Sequence, residues 1–228
     1  MHTLSFVHPT MYKKENVRLP KRVVKQLKEV SRLSTKNKWE YAGGISLKCN
    51  ENEYIFGDLT HTTSKHRDTV SINEIEDVWP TTITYHTHPG VALNDSKISE
   101  KDEIFATLPS NADFEAFIRG FPDMHTNIIC DLHGYYVIDI LESVKNNKSP
   151  IPLCVGYAMN EFRKRPTMRH RSFSEDRCEY FSTTMYDWRS TINFELNYYL
   201  RNKFGISIHY YSYDDTPAII SIDLDNID

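Results

Sequence analysis

The spacing of apolar residues alternates along the chain between helix-like and strand-like periods. From Leu19 to Leu33 they recur three or four positions apart, which predicts an amphipathic helix with Pro20 in its first turn. The stretch "WEYAGGISLKCNENEYIFGDLT" at 39–60 predicts two strands joined by a polar turn. Two further runs rich in β-branched residues, "DTVSI" at 68–72 and "TTITYHTH" at 81–88, predict two more strands.

The second half of the chain continues this alternation. A helical pattern covers 99–108, and "TNIICDLHGYYVIDI" at 126–140 predicts a hairpin that turns near His133 and Gly134. A longer helical pattern at about 174–204 is followed by two strand-like runs, "ISIHYYSYD" and "AIISIDL". This order favours an α/β (α+β) fold, in which a mixed, partly antiparallel sheet is flanked by helices. We expect a domain over 1–149 and a helical and β-strand extension over 150–228 that packs on it.

Composition narrows the class of protein. The 228 residues are 39% hydrophobic and 25% charged, with a formal net charge of −4. The one basic cluster, "RKRPTMRHR" at 163–171, is interpreted as a solvated loop, with contact to an acidic partner as the alternative. We therefore expect no nucleic acid partner. No apolar run approaches the roughly 20 residues of a membrane span and no signal peptide is apparent, so we expect no membrane partner and an intracellular, cytoplasmic or nuclear location. The four cysteines form no CxxC pair and are expected to be reduced.

The stretch "TYHTHPG" at 84–90 contains the strongest candidate chemistry. Side chains two apart on a strand share a face, so His86 and His88 can approach the same point, and Pro89 suits the end of the strand. Two such histidines are also compatible with an ordinary pair that bonds to water or backbone. A third ligand is needed to distinguish a metal site from that reading.

"SEKD" at 99–102 offers such a ligand. Ser99 followed three residues later by Asp102 is typical of a capped helix start, and a capping pair is one interpretation of these two residues. A carboxylate in the first turn of a helix is also well placed to bind a metal with His86 and His88. Two imidazoles and one carboxylate suit zinc and leave a fourth position open.

"HTHPG" followed by "SEKD" resembles the signature of the JAMM or MPN-plus metalloproteases, and "EYAGGI" supplies the family's earlier glutamate as Glu40, followed by Gly43 and Ile45. The resemblance implies an MPN/JAMM-like, cytidine-deaminase-like core in which His86, His88 and Asp102 bind Zn²⁺. It also implies that Glu40 moves protons between the attacking water and the departing amine. Ser99 would donate a hydrogen bond to the oxyanion.

The loop after His88 leaves two registers open. The family usually places its aspartate eleven positions after the second histidine, where this chain has Ser99. In that register Ser96 takes the serine position, no aspartate remains, and the site has two histidines and no activity. In the other register a loop longer by three residues preserves Ser99 and Asp102. We prefer the second register because surface loops tolerate insertions at small free-energy cost.

Two functional hypotheses follow. The first is a zinc-dependent isopeptidase or peptidase whose protein substrate, by resemblance alone, is ubiquitin or a ubiquitin-like modifier. The second is a non-catalytic MPN-like scaffold, a structural subunit of a larger assembly such as a regulatory particle or a virus shell. The tyrosine-rich segment 150–228 suits contacts with such an assembly.

Overall fold

A mixed sheet of six strands forms the centre of the molecule. In a computed structural model of the chain, the described residues are 14–50, 53–59, 83–90, 103–120, 124, 126–140, 164–172 and 179–223. The strands of the sheet are β2 (Ala42–Asn50), β3 (Glu53–Leu59), β4 (Ile83–Thr87), β6 (Thr126–Cys130), β7 (Gly134–Ile140) and β10 (Ile206–Ser212). Their order is β10-β7-β6-β4-β2-β3. Only β4 and β6 are parallel neighbours, so the sheet is mostly antiparallel.

Two smaller sheets complete the β-structure. The first pairs β1 (Lys14–Arg18) with β11 (Ile219–Asp223), antiparallel. The second has the order β5-β9-β8 and consists of β5 (Glu103–Ala106), β8 (Arg169–Ser172) and β9 (Glu179–Thr184). The pairs β1–β11 and β5–β9 join strands that are distant in the sequence, whereas β8 and β9 are neighbours along the chain.

The amino-terminal helix and both hairpins confirm the sequence predictions. Helix α1 (Lys21–Asn37) follows Pro20, which is its extended N-cap, and ends where Lys38 adopts a left-handed conformation with φ of 55°. Its buried apolar positions lie on one face and include Val23, Leu27 and Val30. The β2–β3 and β6–β7 hairpins form as expected. The predicted strand at 68–72 lies outside the described residues.

Each face of the central sheet is covered by a separate hydrophobic core. On β6 the alternation of side chains sends Ile128 and Cys130 to the first face and Ile129 to the second. Helix α1 and the β1–β11 pair cover the first face. The second face is covered by α2 (Asn111–Arg119), by β5 and β9, and by the carboxyl-terminal helical segment. The result is a layer of sheet between two layers of other elements, the mixed α/β architecture that was expected.

Two of the helix predictions are wrong in part. Glu103–Ala106, inside the predicted helix 99–108, is strand β5, and it pairs with β9. Glu179–Thr184, inside the predicted helix 174–204, is strand β9. The two segments pair with each other across more than seventy positions of sequence, which no local pattern indicates, and β9 pairs on its other side with β8. The remainder of that second prediction is helical from Met185 to Phe204.

The carboxyl-terminal helical segment contains a π-helical turn. Helix α3 (Met185–Ser190) continues as a π-helix over Thr191–Leu196 and then as α4 (Asn197–Phe204). From this segment Asn193 accepts a hydrogen bond from Tyr210 N at 2.6 Å and donates one to Tyr210 O at 3.1 Å. Asn197 accepts one from Ile208 N at 3.1 Å.

These asparagines therefore satisfy backbone groups on the outer edge of β10, which would otherwise be open to pairing with another strand.

Within the described ranges, no helix combines the length and the apolar character needed to cross a membrane. Strand β10 belongs to the segment 150–228, so part of that segment extends the central sheet itself. The boundary near residue 149 stays a prediction.

Candidate metal centre

Both histidines of "HTHPG" lie where the strand pattern predicts. His86 is in β4 and faces the second core, because its neighbour Ile129 on β6 faces that core and the two residues pair in register. His88 follows two positions later on the same face, with its backbone amide bonded to Cys130 O at 2.8 Å. The Nε2 atoms of the two rings are 3.2 Å apart.

The carboxylate beside these rings is that of Asp113, in the first turn of α2. Its Oδ1 lies 3.2 Å from His86 Nε2 and its Oδ2 lies 3.3 Å from His88 Nε2. Ser99 and Asp102, the expected serine and third ligand, lie outside the described residues. Their roles as oxyanion donor and ligand stay predictions, while the structure brings His86, His88 and Asp113 together.

Sequence reasoning missed Asp113, although a signal for it exists. Ser110 and Asp113 repeat the serine-to-aspartate spacing of "SEKD", and the following apolar residues Phe114 and Phe117 have helical spacing. Asp113 lies 25 positions after His88 (113 − 88), so choosing it requires a loop far longer than the insertion of three residues that was preferred.

The spacing of the ligand atoms fits one tetrahedral metal ion. Ligands about 2.0 to 2.1 Å from zinc, at the tetrahedral angle, stand about 3.3 to 3.4 Å from one another. The Nε2 atoms of His86 and His88 are 3.2 Å apart, and each has a different oxygen of Asp113 beside it, Oδ1 at 3.2 Å from His86 and Oδ2 at 3.3 Å from His88. Within the described part of the chain, these three side chains are the group whose chemistry and spacing could hold a metal ion. Three protein ligands leave a fourth position free, as in catalytic zinc sites.

A capping box fixes the carboxylate of Asp113. The Ser110 hydroxyl accepts a hydrogen bond from Asp113 N at 3.2 Å, and Asp113 Oδ2 accepts one from Ser110 N at 2.6 Å. The positive end of the helix dipole also favours a negative charge at this point. Because the backbone amide of Ser110 holds Oδ2, the carboxylate has a fixed orientation, with Oδ1 beside His86 and Oδ2 beside His88, an arrangement typical of an oriented metal ligand.

The site is partly buried and negatively biased. Burial would raise the pKa of Asp113, but the charge and hydrogen bonding of His86 and the hydrogen bond of His88 hold it well below its ordinary value, so the carboxyl group is ionised. Burial lowers the pKa of His88, yet the hydrogen bond and charge of Asp113 and the charges of Glu40 and Asp131 outweigh it and the net shift is upward. The negative charges of Asp113, Glu40 and Asp131 around the two histidines favour a bound cation.

Extension of the β2–β4 register predicts that Glu40 lies opposite His88. Ala42 pairs with His86 in the antiparallel β2–β4 ladder, and the bond from Thr87 N to Tyr41 O at 2.8 Å continues the ladder by one residue. The next step sets Glu40 across from His88, and residues directly opposite in an antiparallel pair share a face. The effect of the Glu40 charge on the pKa of His88 agrees with this proximity.

The loop after His88 is held from three sides. Pro89 O accepts a hydrogen bond from the Tyr180 hydroxyl at 3.0 Å, and Gly90 N donates to Thr35 Oγ1 at 3.0 Å. A Cβ atom on Gly90 would stand 2.7 Å from Cβ of Leu132, so only glycine fits this close approach. The loop therefore holds His88 in place through contacts with β9 and α1.

A second buried carboxylate lies next to this loop. Oδ1 of Asp131 accepts hydrogen bonds from His133 N, Gly134 N and the Tyr210 hydroxyl, each at 2.8 Å. Its Oδ2 is buried without a hydrogen-bond partner among the described residues. Burial raises the pKa of Asp131, against the opposing effects of His133, of the Tyr210 hydroxyl and of the two backbone donors.

No protein-family model, curated protein or solved structure matches this chain at a significant level. The candidate site is therefore judged on its own geometry and on the motifs in the sequence.

Proposed function

We propose that the protein is a zinc-dependent peptidase or isopeptidase of the JAMM type, with His86, His88 and Asp113 as the metal ligands. The observation that supports it best is the close approach of three potential ligands. The two Nε2 atoms are 3.2 Å apart, Oδ1 of Asp113 lies 3.2 Å from that of His86, and Oδ2 of Asp113 lies 3.3 Å from that of His88, close to the spacing of ligands around a tetrahedral zinc ion. The choice of zinc rests on two imidazole nitrogens and one carboxylate oxygen with an open fourth position. The JAMM assignment rests on the motifs.

The proposed chemistry divides between the metal and the chain. When bound, zinc would polarise the scissile carbonyl and make water a better nucleophile near neutral pH. Glu40 accepts the proton of the attacking water and delivers it to the nitrogen of the departing amine. The register of β2 against β4 supports this assignment, because Glu40 is expected on the same face as both histidines.

Ser110 takes the position that the resemblance first gave to Ser99. Its hydroxyl oxygen accepts the Asp113 amide proton, which leaves the hydroxyl hydrogen available for a second partner. Ser110 is exposed at the start of α2. We propose that this hydrogen stabilises the oxyanion that forms as the carbonyl carbon becomes tetrahedral.

The proposed substrate is ubiquitin or a ubiquitin-like modifier joined through its carboxyl terminus. This part rests on the JAMM resemblance alone. The extended tail of such a modifier could bind by strand addition. The central sheet has two edge strands, β10 and β3, and Asn193 and Asn197 bind the backbone of β10. The added strand would therefore pair with β3, which is also the edge nearer to β4.

Zinc content and peptide cleavage test the proposal together. Metal-free protein is loaded with zinc, desalted and analysed by mass spectrometry, with one zinc per chain expected. Cleavage is then followed with ubiquitin carrying a fluorogenic amide at its carboxyl terminus. Glu40→Gln should retain zinc and lose at least about 100-fold in kcat, since a general base contributes about that much.

A parent protein that binds no zinc would refute the metal-centre proposal. Zinc binding with equal cleavage by the parent and Glu40→Gln would refute the role of Glu40. Gln26→Glu is the control for an exchange between glutamine and glutamate away from the metal centre, and it should retain both zinc and cleavage. Gln26 lies on the opposite side of the sheet, where it donates a hydrogen bond to Asp58.

A non-catalytic scaffold is the second candidate, and exposed aromatic side chains favour it. Tyr186, Phe194 and Tyr198 on the carboxyl-terminal helical segment are 79%, 73% and 73% exposed. Exposed aromatic residues are enriched where proteins bind one another. Zinc-free protein that still enters a stable assembly would support this candidate over the enzyme.

A further inference from the structure

A second concave site lies at the β10 end of the central sheet, away from the metal centre. A cavity of about 310 Å³ opens beside β10, and Tyr211 contributes to its wall. Tyr211 packs against the first core, whereas His86 faces the second. One row of register partners crosses four strands, from Thr87 on β4 through Cys130 and Tyr135 to Tyr211 on β10. Neighbouring strands are about 4.8 Å apart, so the three steps put Tyr211 and the cavity about 14 Å from β4.

Two arginines from separate elements meet in this cavity. Arg18 at the end of β1 donates from Nη1 to Pro217 O at 2.9 Å, and Arg189 at the end of α3 forms an ion pair with Asp215 at 3.0 Å. These contacts use a minority of the ten N–H groups that two guanidinium groups provide. Arg189 Nε is buried and has no hydrogen-bond partner among the described residues.

The charges of the lining favour a single negative charge in the ligand. Arg18 and Arg189 each contribute one positive charge and Asp215 one negative charge, so the lining has a net charge of +1 in a chain whose formal net charge is −4. Burial and Asp139 raise the pKa of Tyr211, while both arginines oppose that shift, so both cations lie close enough to act on the phenol. Guanidinium groups match the geometry of carboxylates, which they bind through two parallel hydrogen bonds.

The remaining lining residues complete a site for a small molecule. Tyr211 and Thr216 add hydroxyl groups, while Pro217 and Ile219 add apolar surface. Small-molecule sites combine apolar walls with a few polar groups and begin at about 300 Å³. We propose that this cavity binds a small carboxylic acid, with its carboxylate between Arg18 and Arg189 and its apolar body against Pro217 and Ile219.

Benzoate is the probe, and benzamide is its neutral counterpart of the same shape. Titration of the full chain with sodium benzoate, followed by ¹H–¹⁵N correlation spectra at constant ionic strength, should show saturable shifts at Tyr211, Thr216 and Ile219. A ligand of this size is expected to bind with a Kd in about the millimolar range. Arg18→Gln should weaken binding about tenfold, since one charge-assisted contact is lost.

Arg22→Gln is the matched control, because Arg22 is an exposed arginine that pairs with Asp58 at 3.0 Å, away from the cavity. Its affinity for benzoate should equal that of the parent. Absence of saturable shifts, equal affinity for benzamide, or undiminished binding by Arg18→Gln would overturn the proposal. Tighter binding of phenyl phosphate than of benzoate would overturn the choice of a carboxylate. The benzoate affinity should not change between zinc-loaded and metal-free protein, so this test succeeds or fails independently of the metal centre.

Discussion

Oδ1 of Asp113 lies 3.2 Å from Nε2 of His86, although 27 positions (113 − 86) separate the two residues in the sequence. The packing of α2 produces this approach. Phe114 and Phe117 are almost fully buried in the core that covers the face of His86. The apolar side of the helix thus fixes the position of the carboxylate in its first turn.

Replacement of Asp113 should abolish metal binding, whereas replacement of Asp102 should not. Asp113→Asn keeps the shape of the side chain but removes its charge, so we expect zinc affinity to fall more than about 100-fold. Loss of a residue that only hydrogen-bonds to a metal ligand usually costs less than that. Asp102→Ala should keep one zinc per chain. Competition with a zinc-binding dye measures both affinities. The reverse result would restore Asp102 as the ligand.

Substitutions of Ser110 should separate its capping function from its proposed contact with the oxyanion. Ser110→Ala should lose about 1 kcal/mol of stability and at least about 100-fold in kcat. Ser110→Gly should lose only a few tenths of a kcal/mol, since glycine is tolerated as an N-cap, but should lose the same factor in kcat.

Ser110→Thr retains a hydroxyl and should restore most of both properties. Urea denaturation gives the stability of each variant, and cleavage of the fluorogenic ubiquitin substrate gives its rate. If Ser110→Gly cleaved the substrate as fast as the parent, the hydroxyl would have no catalytic function.

Loss of the Asn193 side chain should destabilise the outer edge of the sheet. Asn193→Ala removes both hydrogen bonds to the backbone of Tyr210 and leaves that N–H and C=O without these partners. We expect a loss of about 1 to 3 kcal/mol in the free energy of unfolding and a greater tendency to aggregate. Asn202→Ala, at an exposed position of α4, is the control and should change stability by less than about 0.5 kcal/mol. Equal stability of the two variants would contradict the edge-covering function of Asn193.

The buried carboxyl group of Asp131 should make metal-free protein less stable as pH rises from about 4. Its pKa is raised by burial, so over a range above the ordinary value of about 3.9 the folded state holds a proton that the unfolded state has released. Stability therefore falls with increasing pH in that window. Asp131→Asn lacks this proton, so the stability lost through the substitution should be larger at pH 4 than at pH 7.

Urea denaturation in the presence of a chelator measures this difference. Titrating groups that do not interact with Asp131 contribute equally to the parent and the variant and cancel in the comparison, whereas His88 and His133 interact with its charge and do not cancel fully. A loss of stability that is independent of pH, or larger at pH 7, would contradict the raised pKa.

Local sequence signals predicted the parts of the fold that depend on near neighbours. Helix α1 has a regular apolar stripe, and the β6–β7 hairpin has two β-rich runs around Gly134, so both could be predicted. The β4 alternation likewise put His86 and His88 on one face. Strand β5 could not be predicted, because its hydrogen bonds come from β9 and its own residues suit a helix as well as a strand.

The carboxylate beside the two histidines was missed for a related reason. Two serine-to-aspartate pairs, one ending at Asp102 and the other at Asp113, follow His88, and each has the pattern of a helix start. Loop length gave no reliable choice between them, because a longer loop costs little free energy. What brings Asp113 to the histidines is the burial of Phe114 and Phe117, which depends on residues from the other end of the chain.

The pairing of β1 with β11 has a consequence for the order of folding during synthesis. Lys14 pairs in register with Asp223, so this ribbon cannot form until β11, more than 200 positions later, has left the ribosome. Helix α1 and the β2–β3 hairpin emerge early and contain mostly local contacts. The face of the sheet that α1 and the β1–β11 pair cover together stays partly exposed until β11 is made, so a chaperone would be of most use in this interval.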